Sequence, residues 1–404
     1  MQSTAILSKR GFRRAAFCIP ALALLAALTA MIAAPAPCQA DASLIIKTGN
    51  TWSVTGKDDL QQLKYLASGV GWEFAPTGDT TAALKAVGIK TIRCINVEPS
   101  DGTFDKDGNF TLTQLNVRLQ AHLDTCTTLG AVPHIIIGTS FPDALRLKPE
   151  DVPDQYKQDV RDHFYGPTDW TKFRNYYLAL FEYILITKGF SNAEFEVANE
   201  PDINGGIYPA PPRPSSGARA NYEAAFNLYK NIAQAAVAFE VKHPGMHVTL
   251  GGPAASWAFT FKFGDFNWIE HFIRDCAEQK LKLDFVGVHF YGNICSLDGQ
   301  YDALYPPFTD MWRTTQAAID TYYPGIPLEV TEWGPSYVTN TSEEAAVNAN
   351  NVGVAWGADF LNTMLGCGIS KALYLVTTDY NQPANGKPVD TGARALLRRT
   401  LQPA

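Results

Sequence analysis

Eight short apolar runs, often β-branched, recur along this chain, and helical spacing follows them. They fall near residues 68–74, 90–96, 131–138, 194–199, 246–252, 284–290, 327–332 and 372–378. His134-Ile-Ile-Ile-Gly138 and Ala372-Leu-Tyr-Leu-Val376 are the plainest. Near-continuous apolarity marks strands buried on both faces, as in a parallel sheet covered by helices. Within 222–241, Phe226, Tyr229, Ile232 and Ala236 share one helical stripe. The stretches 111–129, 168–189, 266–280, 310–322, 343–366 and 388–400 read as helices too. Eight alternations over about 330 residues predict an α/β fold, a (β/α)8 TIM barrel of one domain with long βα loops. A doubly wound open sheet also alternates, but it carries a glycine-rich loop after its first strand, and this chain has none there.

Residues 1–40 contain no acid; they carry Lys9, Arg10, Arg13 and Arg14, then an apolar run from Ala15 to about Ala34, then Cys38-Gln-Ala40. That order is the order of a signal peptide, with a retained membrane anchor as the alternative. The expected layout is a signal peptide over 1–40 and a catalytic barrel over 41–404, secreted or periplasmic. Cleavage removes four positive charges and takes the net charge from −7 to −11. So negative a chain is not suited to nucleic acid or an anionic membrane.

Five cysteines remain after residue 40: Cys94, Cys126, Cys276, Cys295 and Cys367. Export permits disulfides, the odd count leaves at least one thiol over, and pairing cannot be read from spacing. The seven histidines are scattered without metal-ligand spacing, so neither a metal nor a cofactor is expected.

Two of the predicted strands end in glutamate. Glu194-Phe-Glu-Val-Ala-Asn-Glu-Pro201 closes the fourth, and Pro327-Leu-Glu-Val-Thr-Glu-Trp-Gly334 closes the seventh. A barrel places strand C-termini around one mouth, where its chemistry is done. Two carboxyls there, Glu200 and Glu332, are what retaining glycoside hydrolysis needs: one to protonate the leaving oxygen, one to attack the anomeric carbon. Alternation puts Leu328, Val330 and Glu332 on one face, expected to line the barrel. It puts Gly287, His289 and Tyr291 on one face of the neighbouring sixth strand. Tyr291 is placed to donate to Glu332 as nucleophile, and His289 to orient the substrate or the carboxyl pair. Gly287 leaves room beneath them. Glu200, as acid/base, is expected to have a raised pKa. Asn199 suits a sugar 2-hydroxyl, although plain alternation points it away from Glu200. His134 begins its strand and reads as core. The long connections 138–167, 201–218, 291–309 and 377–387, with aromatics such as Tyr208, Trp257, Tyr305, Trp333 and Tyr380, suit the walls of a sugar cleft.

These motifs resemble glycoside hydrolase family 39. Phe195-Glu-Val-Ala-Asn-Glu-Pro201 is similar to its fourth strand, Gly251-Gly-Pro-Ala254 to the end of its fifth, His289-Phe-Tyr291 to its sixth and Thr331-Glu-Trp333 to its seventh. Arg93 matches an arginine near the end of its second strand, and Asp379 an aspartate after its eighth. The resemblance implies a retaining glycosidase with carbohydrate as its partner. Glu200 and Glu332 are then catalytic, and Asn199, His289, Tyr291, Trp333, Arg93 and Asp379 bind substrate. The chain departs from the family at Ala198, where tryptophan is usual, and at Cys94-Ile95, where Gly-His is common. Its eighth strand lacks the usual tryptophan, and few residues follow for the β-sandwich of the family's xylosidases. The sugar is therefore left open. A transglycosylase using the same glycosyl-enzyme and a non-catalytic glycan-binding barrel are the alternatives.

Overall fold

The structure, a computed structural model, describes residues 44–47, 51–54, 69–72, 78–86, 88–94, 101–139, 142–146, 167–204, 218–256, 267–292, 308–335 and 351–375. A hairpin of β1 (Leu44–Lys47) and β2 (Thr51–Val54) precedes β3 (Gly69–Trp72), α1 (Gly78–Ala86) and β4 (Thr91–Cys94). Next come β5 (Asp101–Phe104), β6 (Phe110–Gln114), α2 (Val117–Leu129), β7 (Val132–Ile137), α3 (Trp170–Phe181) and β8 (Glu194–Val197). The chain continues through α4 (Pro201–Asn204), α5 (Ala218–Lys242), β9 (Thr249–Ala255), α6 (Trp268–Glu278), β10 (Phe285–Tyr291) and α7 (Phe308–Tyr322). It ends in β11 (Leu328–Gly334), α8 (Asn351–Gly366) and β12 (Lys371–Leu375).

Eight strands, in the order β3, β4, β7, β8, β9, β10, β11, β12, close into a barrel, and every pairing around it is parallel. Each of the eight predicted runs contributes one strand. The apolar core lies outside the barrel, where Ile135, Ile137 and Val197 belong to one buried cluster with Leu228 and Ile232 of α5 and Phe181 of α3. Burying such a sleeve of side chains is the main favourable term in folding.

One helix differs from expectation. Residues 111–114 belong to β6, which pairs antiparallel with β5, and the helix begins at Val117. Asp105 explains the hairpin: its Oδ1 accepts from the backbone of Asp107 and Asn109, and Gly108 takes a φ of 79°. Asn116 then caps α2 by accepting from Arg118 N, and Gly130 at φ 62° ends it.

The predicted loop walls and the helix at 388–400 lie largely or wholly outside the described residues, as do Asp379, Cys295 and residues 1–40. Among the described residues, no helix is long and apolar enough to cross a membrane.

Candidate active site

Arg93 on β4 organises the mouth of the barrel. Its side chain is 2% exposed, and its N–H groups reach four partners. Nε donates to Glu196 Oε2 at 2.8 Å, Nη1 to Glu332 Oε2 at 3.0 Å and Nη2 to Asn199 Oδ1 at 2.8 Å. Nη2 also stands 3.0 Å from His289 Nε2. A guanidinium only donates, so His289 Nε2 must be the accepting nitrogen. The ring proton is then on Nδ1, which donates to Glu200 Oε1 at 2.9 Å. The same Nδ1 is 3.7 Å from Glu332 Oε2. Tyr291 donates to the other oxygen of Glu332, Oε1.

An oxygen from each of Glu200 and Glu332 and a nitrogen of His289 all lie within 4.8 Å of one another. The two carboxyls therefore face each other across a narrow gap.

Backbone geometry just past β8 brings Asn199 and Glu200 to one cluster. Ala198 has φ 69° and Glu200 φ 49°, both left-handed. Two such residues break the alternation that would have sent Asn199 the other way. Ala198 N donates to Ile137 O at 2.7 Å, and Glu200 N to Ala254 O at 2.9 Å, so neighbouring strands hold the turn on both sides.

Glu332 reaches the interior by a route alternation did not foresee. Glu329 faces inward, where Lys371 Nζ meets it at 3.1 Å, and Val330 packs in the outer core. The register then slips: Val288 pairs with Val330, but His289 pairs with Glu332. Thr331 is the extra residue of a bulge, and it turns Glu332 inward. The expected common face of Leu328, Val330 and Glu332 is thus replaced by Glu329 below the bulge and Glu332 above it. Gly287, His289 and Tyr291 do share the inner face of β10, as their spacing required.

Trp333 points the other way. It is 4% exposed and packs in an outer aromatic layer with Trp356, Phe360 and Tyr374. The structure does not bring it to the carboxyls.

Beneath the site the barrel is filled with charge rather than with aliphatic layers. His134 is buried, but it is no apolar core residue: its Nδ1 is 3.0 Å from Glu194 Oε2 and its Nε2 3.3 Å from Glu196 Oε2. Lys371 Nζ contacts Glu194 at 2.5 Å and Glu329 at 3.1 Å. His134, Glu194 and Glu329 could also group around a cation, but the ammonium of Lys371 already lies against both carboxylates. Sequence reasoning missed Glu194, Glu196, Glu329 and Lys371. The signal was present: Glu-x-Glu within a strand buried on both faces requires cations opposite it.

The Glu200 carboxyl differs from expectation as well. Burial pushes it up, but the hydrogen bond and charge of His289, the Ser256 hydroxyl and Arg93 together hold it below the ordinary glutamate value.

No protein-family model matches the chain. A curated β-xylosidase from Geobacillus stearothermophilus is 27% identical over 212 residues, 49% of this chain and 38% of that protein. The crystal structure of the GH39 enzyme from Xanthomonas axonopodis pv. citri superposes with a TM-score of 0.58 at 20% identity, covering 78% of this chain and 59% of that one. The fold is that of family 39 barrels. A monomeric β-xylosidase from Caulobacter crescentus CB15 gives 0.59 at 21% identity, covering 82% and 64%. The chain spans less than two thirds of the length of each of these three proteins.

Proposed function

We propose that this chain is a retaining glycosidase, with Glu332 as nucleophile and Glu200 as acid/base. The carrying observation is the close approach of the two carboxyls, each with an oxygen within 4.8 Å of the other and of His289. That approach suits the roughly 5–5.5 Å carboxyl separation of retaining enzymes. Glu332 accepts from Arg93 and Tyr291, two donors that hold an attacking carboxylate in place. Asn199 accepts from Arg93 through Oδ1, so its part in holding a sugar hydroxyl would be that of a donor.

Glu200 begins on His289 Nδ1. Turning towards a glycosidic oxygen takes it off that donor while burial remains, and its pKa rises to make it an acid. Attack by Glu332 gives a glycosyl ester and removes the neighbouring negative charge. Glu200 then serves as base for the incoming water. β-Xylosides are the first substrates to try, because two of the similar proteins are β-xylosidases. Export goes with this reading, on the strength of residues 1–40. A reporter fused after residue 40 that stays in the cytoplasm would remove it.

The test is asymmetric. Glu332→Ala should give no turnover, and azide should not restore a product of retained configuration. Glu200→Ala should still glycosylate with an activated aryl leaving group, which needs little protonation, and azide should rescue its second step. Equal losses in both variants on activated and unactivated substrates would refute the assignment.

A further inference from the structure

Glu196 touches neither the cleft nor water. It is fully buried on β8, between the mouth of the barrel and its charged floor. Its Oε2 accepts from Arg93 Nε at 2.8 Å and from His134 Nε2 at 3.3 Å. Its Oε1 occupies the space above Gly287, where an added Cβ would come within 2.2 Å of it. An absent side chain on β10 thus makes room for a charged one on β8.

Among the described residues, Glu196 is the anion that meets Arg93 on its floor side. Above Glu196 it serves Glu332, Asn199 and His289 at once, and a shift of the guanidinium would misplace three groups of the site together. We propose that Glu196 is a positioning residue that aims Arg93 at Glu332, Asn199 and His289 and supplies the counter-charge that tempers its pull on the two cleft carboxylates. The proposal rests on the glycosidase reading and names a residue that reading does not use. His134 holds Glu196 from behind, with its other nitrogen on Glu194.

Two substitutions separate aim from charge. Glu196→Gln keeps the reach and the accepting oxygen but removes the charge. The charged and titratable groups around it are Arg93 on β4, His134 on β7 and His289 on β10. Facing the cleft carboxylates are Arg93, His289 and Tyr291. With Glu196 neutral, Arg93 is less compensated and favours the ionised forms of both cleft carboxyls. Both limbs of the pH–rate profile should then move to lower pH, by about half a unit or more. Glu196→Asp keeps the charge but draws the guanidinium towards the floor. Its kcat should fall about tenfold or more with little change in KM, while the limbs stay in place.

Glu332→Ala serves as the inactive control. If it is inactive while both Glu196 variants keep the wild-type kcat per folded molecule and both limbs, losing only Tm, then Glu196 is merely structural; the inference fails and the glycosidase reading stands. A second readout needs no substrate. The Arg93 Nε–H should give a shifted, slowly exchanging NMR signal in the wild type, and Glu196→Asp should move it. An unmoved signal in both variants overturns the proposal whether or not any glycoside is cleaved.

Discussion

Tyr291 donates its hydroxyl to Glu332 Oε1 from the neighbouring strand, while Arg93 holds Oε2 at 3.0 Å. Glu332 is thus fixed from two sides, and the Tyr291 bond is the one that can be deleted without removing a charge. Tyr291→Phe should lower turnover by about 10–1000-fold, the scale of losing one donor to a reacting charge. It should leave the fold nearly unchanged. The carboxylate also loses a donor that favours its ionised form, so the acidic limb of the profile should move to higher pH. This is the opposite of the shift expected for Glu196→Gln. An unmoved acidic limb would take Tyr291 out of the site.

His289 links the two carboxyls through one nitrogen, Nδ1, and takes Arg93 on the other. Its donation is among the causes holding Glu200 below the ordinary glutamate value, against the upward push of burial. In His289→Ala burial remains and the donor is gone, so Glu200 should hold its proton to higher pH. The basic limb of kcat/KM, which reports loss of the acid's proton in the free enzyme, should move upward. Turnover should fall as Arg93 loses an acceptor. A variant that loses only melting temperature and keeps its activity per folded molecule would make His289 a core histidine.

Gly287 lies where the sequence required only a small residue, and the structure gives the reason. An alanine there would place its Cβ 2.2 Å from Glu196 Oε1, and that carboxylate is fully buried. Either β10 moves or Glu196 moves, and Glu196 carries Arg93 with it. Gly287→Ala should cost about 1–3 kcal/mol of stability, as overpacking does. It should also reduce turnover by more than that loss of folded protein explains. Wild-type turnover at full folding would show that Glu196 can shift freely.

The strands were legible because strands buried on both faces are apolar almost throughout, and His134-Ile-Ile-Ile or Phe285-Val-Gly-Val can hide nowhere else. The pair Glu200 and Glu332 was legible because both close such strands. How Glu332 turns inward was not legible. A bulge at Thr331 depends on its pairing with β10, which no period-two count contains. Nor was the meeting of Asn199 with Glu200, which needs left-handed backbone at Ala198 and Glu200, held by Ile137 and Ala254 from other strands. The β5–β6 hairpin was masked because Thr111 to Gln114 runs straight into helical spacing. The charged floor is hidden for a different reason: near-continuous apolarity marks a strand as buried on both faces, and Glu194 and Glu196 are the exceptions within it.

That floor should make stability depend on acid in a defined window. Burial pushes the Glu194 carboxyl up, but the His134 hydrogen bond and the Lys371 ammonium bring it down to about 2. A carboxyl depressed on folding stabilises the folded state above its unfolded value, near 4.5, and that contribution is lost as pH falls towards about 2. Melting temperature should therefore drop between those two values. Lys371→Met removes the ammonium that contacts Glu194 and Glu329 and leaves the two carboxyls, one partly and one fully buried, without it. At pH 7 it should destabilise the fold, because breaking one side of a buried ion pair costs about 3–5 kcal/mol. Glu194 then loses one of the two groups that depress it, so the acid-side drop should become shallower and be complete at higher pH. Melting curves of both proteins from pH 7 down to pH 2 decide it: parallel curves, offset by a constant amount, would mean that Lys371 does not set the ionisation of Glu194.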